Sequence, residues 1–303
     1  MYTDLRIPEA NDPKRIASSY NPSEKVKTRI KEVMERLKRS VEMMNKPYVQ
    51  FNDLSVLQIR DECRKLFLNW REPKSLNPEE AWKSRALRPI VRNRTISVAA
   101  HATQSLMTPE TPAQNSSQEE DRDASIVMKD LMEYANEKAG YHKTLLYAVI
   151  QALVEPTSYI HTGFEQHHRT IKEINEKGTW TEEKVVDEEM SGFKDEVVPL
   201  DEIFLGDFFE YEIQKQPYII RRRAIQWETA VAKYGSIQAF KDYVNPGLQS
   251  VFEEETQTFY DVIDNSLQNR LVEELIYYDR YQDLQLIFTN GILLTDPDQP
   301  NPR

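Results

Sequence analysis

Leu284–Thr295 reads LQLIFTNGILLT, and its central pair decides how the last third of the chain folds. Asn290-Gly291 separates two apolar runs, and both residues tolerate the positive φ angles of a two-residue type I′ turn. Leu284–Thr289 and Ile292–Thr295 are therefore expected to fold back on each other as a hairpin. Upstream, Phe259–Ile263 and Leu271–Tyr278 are rich in the branched and aromatic residues that favour strands. The tail, DPDQPNPR, is dense in proline and supplies no further packed element.

Working back from the hairpin, Pro217–Arg221 reads as a short strand. Ile225–Tyr234 fits a helix stopped by Gly235, and Ser236–Tyr243 fits another. Tyr159, His161, Gly163, Ile171 and Ile174 lie in a long stretch with strand character, with a turn at Gly178. Val185-Val186 and Val197-Val198 follow as short apolar pairs, so this region reads as antiparallel sheet. Before Pro156 the period changes to that of helices. Ser23 is a good N-cap for a helix with apolar residues at Val26, Ile30, Val33, Leu37, Val41 and Met44. Its other faces carry Lys25, Lys27, Arg29, Lys31, Arg36, Lys38 and Arg39, which suit a solvated face, phosphate contact or an acidic neighbour.

A second helix is expected from Asn52 or Asp53 to Trp70. Asn77-Pro78-Glu79-Glu80 is a helix start signal, and another helix follows Pro89. Thr108–Asp123 reads as a loop. Ala124–Lys138 and Tyr141–Leu153 are helices divided by Gly140. Helices first and sheet later make the fold class α+β, with N-terminal helices followed by a mainly antiparallel β region with inserted helices. Residues 1–22, marked by Pro8, Pro13 and Pro22, read as an extended arm, and residues 23–303 as the folded body.

The composition narrows function. With 303 residues and 39% hydrophobic content the chain can bury a substantial core. Its 50 acidic and 39 basic residues give a net charge of −11. That surplus disfavours tight DNA binding, which depends on phosphate neutralisation and counterion release, but suits a surface past which DNA slides. Solubility alone explains the acidity equally well. Only 8 glycines occur, against roughly 20 at average usage, which leaves little room for phosphate-binding loops. Cys63, the one cysteine, reads as a small apolar group on a helix. Neither a signal-peptide core in Met1–Asn11 nor a membrane-length apolar run is found, so a reducing cytoplasm is the expected setting of synthesis.

Three groups of side chains could carry chemistry. On an unbroken strand His161, His167 and Glu165 would share a face, with His168 opposite, and two imidazoles with a carboxylate could hold a divalent ion. A water-facing polar strand accounts for them too. Asp187, Glu188, Glu189, Asp195, Asp201, Glu202 and Asp207 could furnish a two-metal nuclease only by converging from separate elements, and a solvated acidic rim fits better. Phe204, Phe208, Phe209, Tyr211, Tyr218, Trp227, Tyr260, Tyr277, Tyr278 and Tyr281 could stack bases, but their neighbours are mostly acidic, which favours core packing and subunit contacts. No catalytic, cofactor or metal residue is assigned. A metal-dependent hydrolase or nuclease stands as the alternative reading of the histidines and acids, and another virion adaptor as that of the basic helix.

Three segments in order resemble the portal protein of tailed bacteriophages. Ser84–Met107, SRALRPIVRNRTISVAAHATQSLM, is similar to the basic stretch that leads into a portal helix. Leu145–Phe164, LLYAVIQALVEPTSYIHTGF, resembles the helix-to-strand passage of the portal wing. Val197–Gly235 has the order of the family's turn, returning strand and helix, with Val198, Pro199, Asp201, Asp207, Pro217, Arg221 and Tyr234-Gly235 at similar spacing. In this segment Asp201 and Asp207 are expected to bond turn amides, and Arg221–Arg223 to meet acids across a subunit boundary.

The resemblance covers about residues 80–290 and implies a structural, non-enzymatic subunit without cofactors. Family members form a twelve-fold ring at one capsid vertex, the conduit for DNA packaging and ejection. It implies as partners copies of the chain itself, the major capsid or scaffolding protein, terminase, a head-to-tail adaptor, and double-stranded DNA passing without sequence-specific contact. The implied location is the virion, after assembly in the host cytoplasm, with no membrane partner. On this resemblance the chain corresponds to the N-terminal, wing-containing part, without the stem, clip and crown.

Overall fold

A computed structural model of the chain describes residues 20–70, 89–104, 111–115, 117–155, 157–165, 168–174, 180–187, 191–210, 212–248 and 270–301. The fold is α+β, with antiparallel sheets throughout the described residues. From sequence, residues 23–303 are expected to form one body. The structure divides into two compact units, one formed by Met1–Leu57 with Asp201–Arg303 and the other by Gln58–Leu200. Residues 1–19 of the proposed arm, the Asn77–Glu80 start signal, Gly178 and Phe259–Ile263 lie outside the described residues.

The first unit is built on a five-stranded sheet in the order β5-β6-β7-β8-β9. The strands are β5 (Ile203–Leu205), β6 (Tyr218–Gln226), β7 (Leu271–Asp279), β8 (Leu284–Thr289) and β9 (Ile292–Leu293). The hairpin at its edge forms as expected, with φ 47° at Asn290 and 76° at Gly291. One face of the sheet is covered by α1 (Glu24–Asn45), which buries Val33, Leu37 and Met44 against Phe204, Tyr218, Ile220, Leu275, Tyr277, Leu286 and Phe288. The Ser23 hydroxyl accepts from the Val26 amide at 3.4 Å, consistent with its reading as the N-cap.

The opposite face is covered by α6 (Trp227–Tyr234) and α7 (Gln238–Tyr243). Ala230, Tyr234 and Phe240 pack there against Val272 and Ile292, with Ile225 and Ile287 at the margin. Tyr20 joins this cluster through an edge contact with Tyr243 at 5.1 Å. The strand period of two explains the division. In β7, Leu275 and Tyr277 face α1 while Val272 and Glu274 face the shorter helices. Because both faces are covered, β7 is buried almost throughout and loses the apolar-polar alternation of a half-exposed strand.

The second unit holds α2 (Val56–Leu68, from Gln58 onward), α3 (Ile90–Gln104), α4 (Glu119–Ala139), α5 (Tyr141–Val154) and four strands. Gly140, at φ 67°, separates α4 from α5 as the sequence suggested. The expected loop to Asp123 is shorter, because α4 begins at Glu119. Glu119, Glu120 and Asp121 occupy its first turn, where negative charge faces the positive end of the helix dipole.

Strands β1 (Tyr159–Glu165) and β4 (Gly192–Val198) pair from Tyr159–Val198 to Glu165–Gly192. Strands β2 (His168–Ile174) and β3 (Trp180–Val186) pair from His168–Val186 to Ile174–Trp180. Residues 166–167 intervene between the two ladders on one side and 187–191 on the other. The two ladders are separate two-stranded sheets, and whether one strand runs across the histidines turns on residues 166–167, which lie outside the described residues.

Helix α5 is tied to β4 by side chains that reach the backbone. Thr144 Oγ1 donates to the Asp195 carbonyl at 3.1 Å, and Gln151 Nε2 donates to that of Val198 at 3.1 Å. Gln151 Oε1 accepts in turn from Ser158 Oγ at 3.1 Å, fixing the passage from helix into β1.

Candidate functional site

The charged residues that looked available for partners in the first unit are largely used inside it. Arg36 of α1 reaches Asp279 and the Tyr277 hydroxyl on the sheet, and its second nitrogen meets Glu32 at 2.8 Å. Tyr277 Oη donates to Asp279 at 2.7 Å, and the Gln282 amide donates to the same carboxylate at 2.8 Å. Burial would raise the Asp279 pKa, but these hydrogen bonds and the guanidinium hold it below the usual range. Burial pushes the Tyr277 phenol upward, and the adjacent carboxylate adds to that.

Arg221, Arg222 and Arg223 were expected to face acids of another subunit, and the structure corrects this. Arg221 meets Glu202 at 3.4 Å, Arg222 pairs with Glu273 in the α1-facing layer, and Arg223 meets Glu274 at 2.5 Å on the other face. A strand covered on both sides can hold arginines only opposite acids, since an unpaired buried charge is prohibitively costly. The basic helix is likewise a sheet cover. Lys25 pairs with Asp298, Arg29 with Glu32 at 2.9 Å, and Lys27 with Glu24 at 2.8 Å.

Of the proposed histidine and carboxylate ligands on β1 and β2, His161 is the one whose side chain is among those described. His161 is nearly half exposed and lies 3.8 Å from Glu196 on the facing strand. His167 lies outside the described residues, as do the side chains of Glu165 and His168. The acids are divided between the units. Asp195 accepts from Thr162 Oγ1 at 2.6 Å in the second, whereas Glu202 and Asp207 belong to the first. Asp207 accepts from the Phe209 amide at 2.9 Å, the turn-bonding role expected of it. Glu188 and Glu189 lie outside the described residues. Among the described residues no group of three metal-capable side chains assembles.

Core packing accounts for Phe204, Tyr218, Tyr277 and Trp227, the last stacked on Phe240 at 5.4 Å. Phe208 and Phe209 lie edge to face at 6.2 Å, and Phe209 also meets Tyr48. Tyr278 is partly buried and Tyr281 is exposed, while Tyr211 and Tyr260 lie outside the described residues.

The second unit carries what the charge pattern did not reveal, a set of apolar side chains left in solvent. Ile90, Val91, Ile96 and Val98 are exposed on α3, and Val127, Met128, Leu131 and Tyr134 on α4. Phe164 and Phe193 face each other across the β1–β4 ladder at 5.5 Å and are both about 60% exposed. A groove of about 360 Å³ lies among α2, α5 and the end of β4, with Phe67, Tyr147, Val154 and Pro199 in its wall. Arg64 and Glu155 close one side through two hydrogen bonds, at 2.6 and 3.1 Å. Periodicity alone could not separate the inner from the outer apolar face of α3, because apolar residues lie on both. No protein-family model matches this chain, and no curated protein matches it.

Proposed function

We propose that the chain is a structural subunit of a homo-oligomeric ring, of the portal type found at one vertex of a tailed-phage capsid. The supporting observation is the exposed apolar surface of α3, which packs on α5, and of α4, which touches β4 and α5. Isolated apolar residues are ordinary on protein surfaces, but several on each of two helices of one unit mark interaction surfaces. The order of the three portal-like segments supports the particular kind of assembly. In this reading the subunit does no chemistry. Capsid or scaffolding protein, terminase and a head-to-tail adaptor dock on the ring, and double-stranded DNA passes through it without sequence-specific contact. The conduit then serves packaging and ejection in the virion.

The test is the mass and shape of the purified full chain by sedimentation velocity and negative-stain electron microscopy. Closed rings that co-assemble with capsid protein are expected. A chain that stays monomeric at the highest attainable concentration, with no capsid association, sinks the proposal.

A further inference from the structure

Helices α3 and α4 differ in charge as sharply as they agree in exposed apolar surface. Helix α3 contains Arg92, Arg94 and His101 and no acid, whereas α4 contains seven acids and three bases. Their rows match in spacing. On α3, Val91 and Val98 are seven residues apart and so share a stripe, with Arg94 and His101, also seven apart, along one side of it. On α4, Val127, Leu131 and Tyr134 form the apolar stripe. Asp123, Asp130 and Glu137 follow at intervals of seven along one of its sides, and all three are exposed. Each helix thus offers an apolar ridge with a polar edge, which carries the cation Arg94 on α3 and three acids on α4.

Both helices touch α5, but to different extents. Helix α3 packs on α5 through the side that buries Ala99, and α4 packs mainly on β4. From this arrangement we infer that the α4 ridge of one copy docks on the α3 ridge of the next copy of the same chain. The inference rests on the ring reading and specifies its contact. A surface that meets a different surface of its neighbour is heterologous, and repetition of such a contact closes a ring when the rotation allows. The apolar stripes supply burial, while Arg94 and the acid row set register, and the acids exclude pairing of α4 with itself, where acid would meet acid.

Two variants isolate the faces, Val91→Asp with Val98→Asp on α3, and Val127→Asp with Leu131→Asp on α4. All four positions are exposed, so circular dichroism should be unchanged. By sedimentation velocity each variant alone should be monomeric. An equimolar mixture should give dimers and nothing larger, because only one productive pair of faces remains. A second probe, Arg94→Glu, leaves both apolar stripes intact and should weaken assembly about tenfold. Assembly of either variant alone at wild-type strength, self-dimerisation of one of them, or an unchanged constant for R94E overturns the contact. If wild-type rings form regardless of these changes, only the α3–α4 contact fails. A wild-type chain that never assembles removes the ring reading with it.

Discussion

Glu274 on the central strand accepts a hydrogen bond from Lys233 at 2.7 Å, and through it the helix α6 is fastened to a sheet face from which water is excluded. Tyr234 and Arg223 contact the same carboxylate. Burial alone would raise its pKa, but the charges of Lys233 and Arg223 and the hydrogen bonds from Lys233 and Tyr234 hold it at about 2. The folded value lies below the unfolded one, near 4.5, so the stabilisation is present in full above pH 4.5 and is lost as pH falls towards 2. Glu274→Gln should therefore cost about 3 kcal/mol at neutral pH and flatten part of the acid limb of stability. Urea denaturation from pH 7 to pH 2 checks this, and a variant with wild-type stability at pH 7 refutes it.

Asn290 does more than permit the hairpin turn. Its Oδ1 accepts from the Glu273 amide at 3.0 Å, and its Nδ2 donates to the carbonyls of Asn245 and Gly247 at 3.2 and 2.9 Å. Asn290→Ala should cost about 2–4 kcal/mol, from the left-handed backbone and the stranded buried polar groups. Asn290→Gly removes the backbone part and should recover about 1 kcal/mol of that loss. Equal midpoints for the two variants would show that the side-chain bonds alone matter.

The charged side of α1 should be dispensable where its apolar side is not. Leu37, 2% exposed, sits in the core, so Leu37→Ala should cost about 2–5 kcal/mol. Lys31 is largely exposed, 3.9 Å from Glu35, and Lys31→Ala should stay within about 0.5 kcal/mol of wild type. Removing Ser23–Asn45 should unfold the first unit, as judged by loss of near-ultraviolet circular dichroism. A first unit that keeps its fold without that helix contradicts its place over the sheet.

In the second unit, Gln151 links α5 to both β4 and Ser158. Gln151→Leu keeps the volume, leaves the Val198 carbonyl without its side-chain donor, and should cost about 1–3 kcal/mol. Hydrogen exchange should quicken in α5 while protection in β6 and β7 is retained. Uniform loss across both units would contradict the separation.

The elements legible from the sequence are those whose signal is local. Asn290-Gly291 has few alternatives to a tight turn, Gly140 has the left-handed conformation that ends α4, and Ser23 caps its helix from three residues away. What escaped depended on partners distant in the chain. From sequence Pro217–Arg221 reads as a short strand that stops at the first of three arginines. They are internal, opposite Glu202, Glu273 and Glu274, and β6 runs on to Gln226. The expected helix at Ile225 correspondingly begins at Trp227. The acids before Ala124 read as loop by composition, although at a helix start they are stabilising. At the site level, the exposed ridges of α3 and α4 were legible as helices but not as surfaces, since an apolar residue in a sequence does not show which side is already covered.

The first unit is drawn from both ends of the chain, and this bears on its birth. Val33 leaves the ribosome long before Phe288, which it must cover, and at about 5–20 residues per second the wait is on the order of tens of seconds. Through that interval the leading helix has an oily flank and no sheet to lie on. A nascent chain of this design has reason to meet a chaperone early, and its second unit, contiguous in sequence, can mature while the first is still being spelled out.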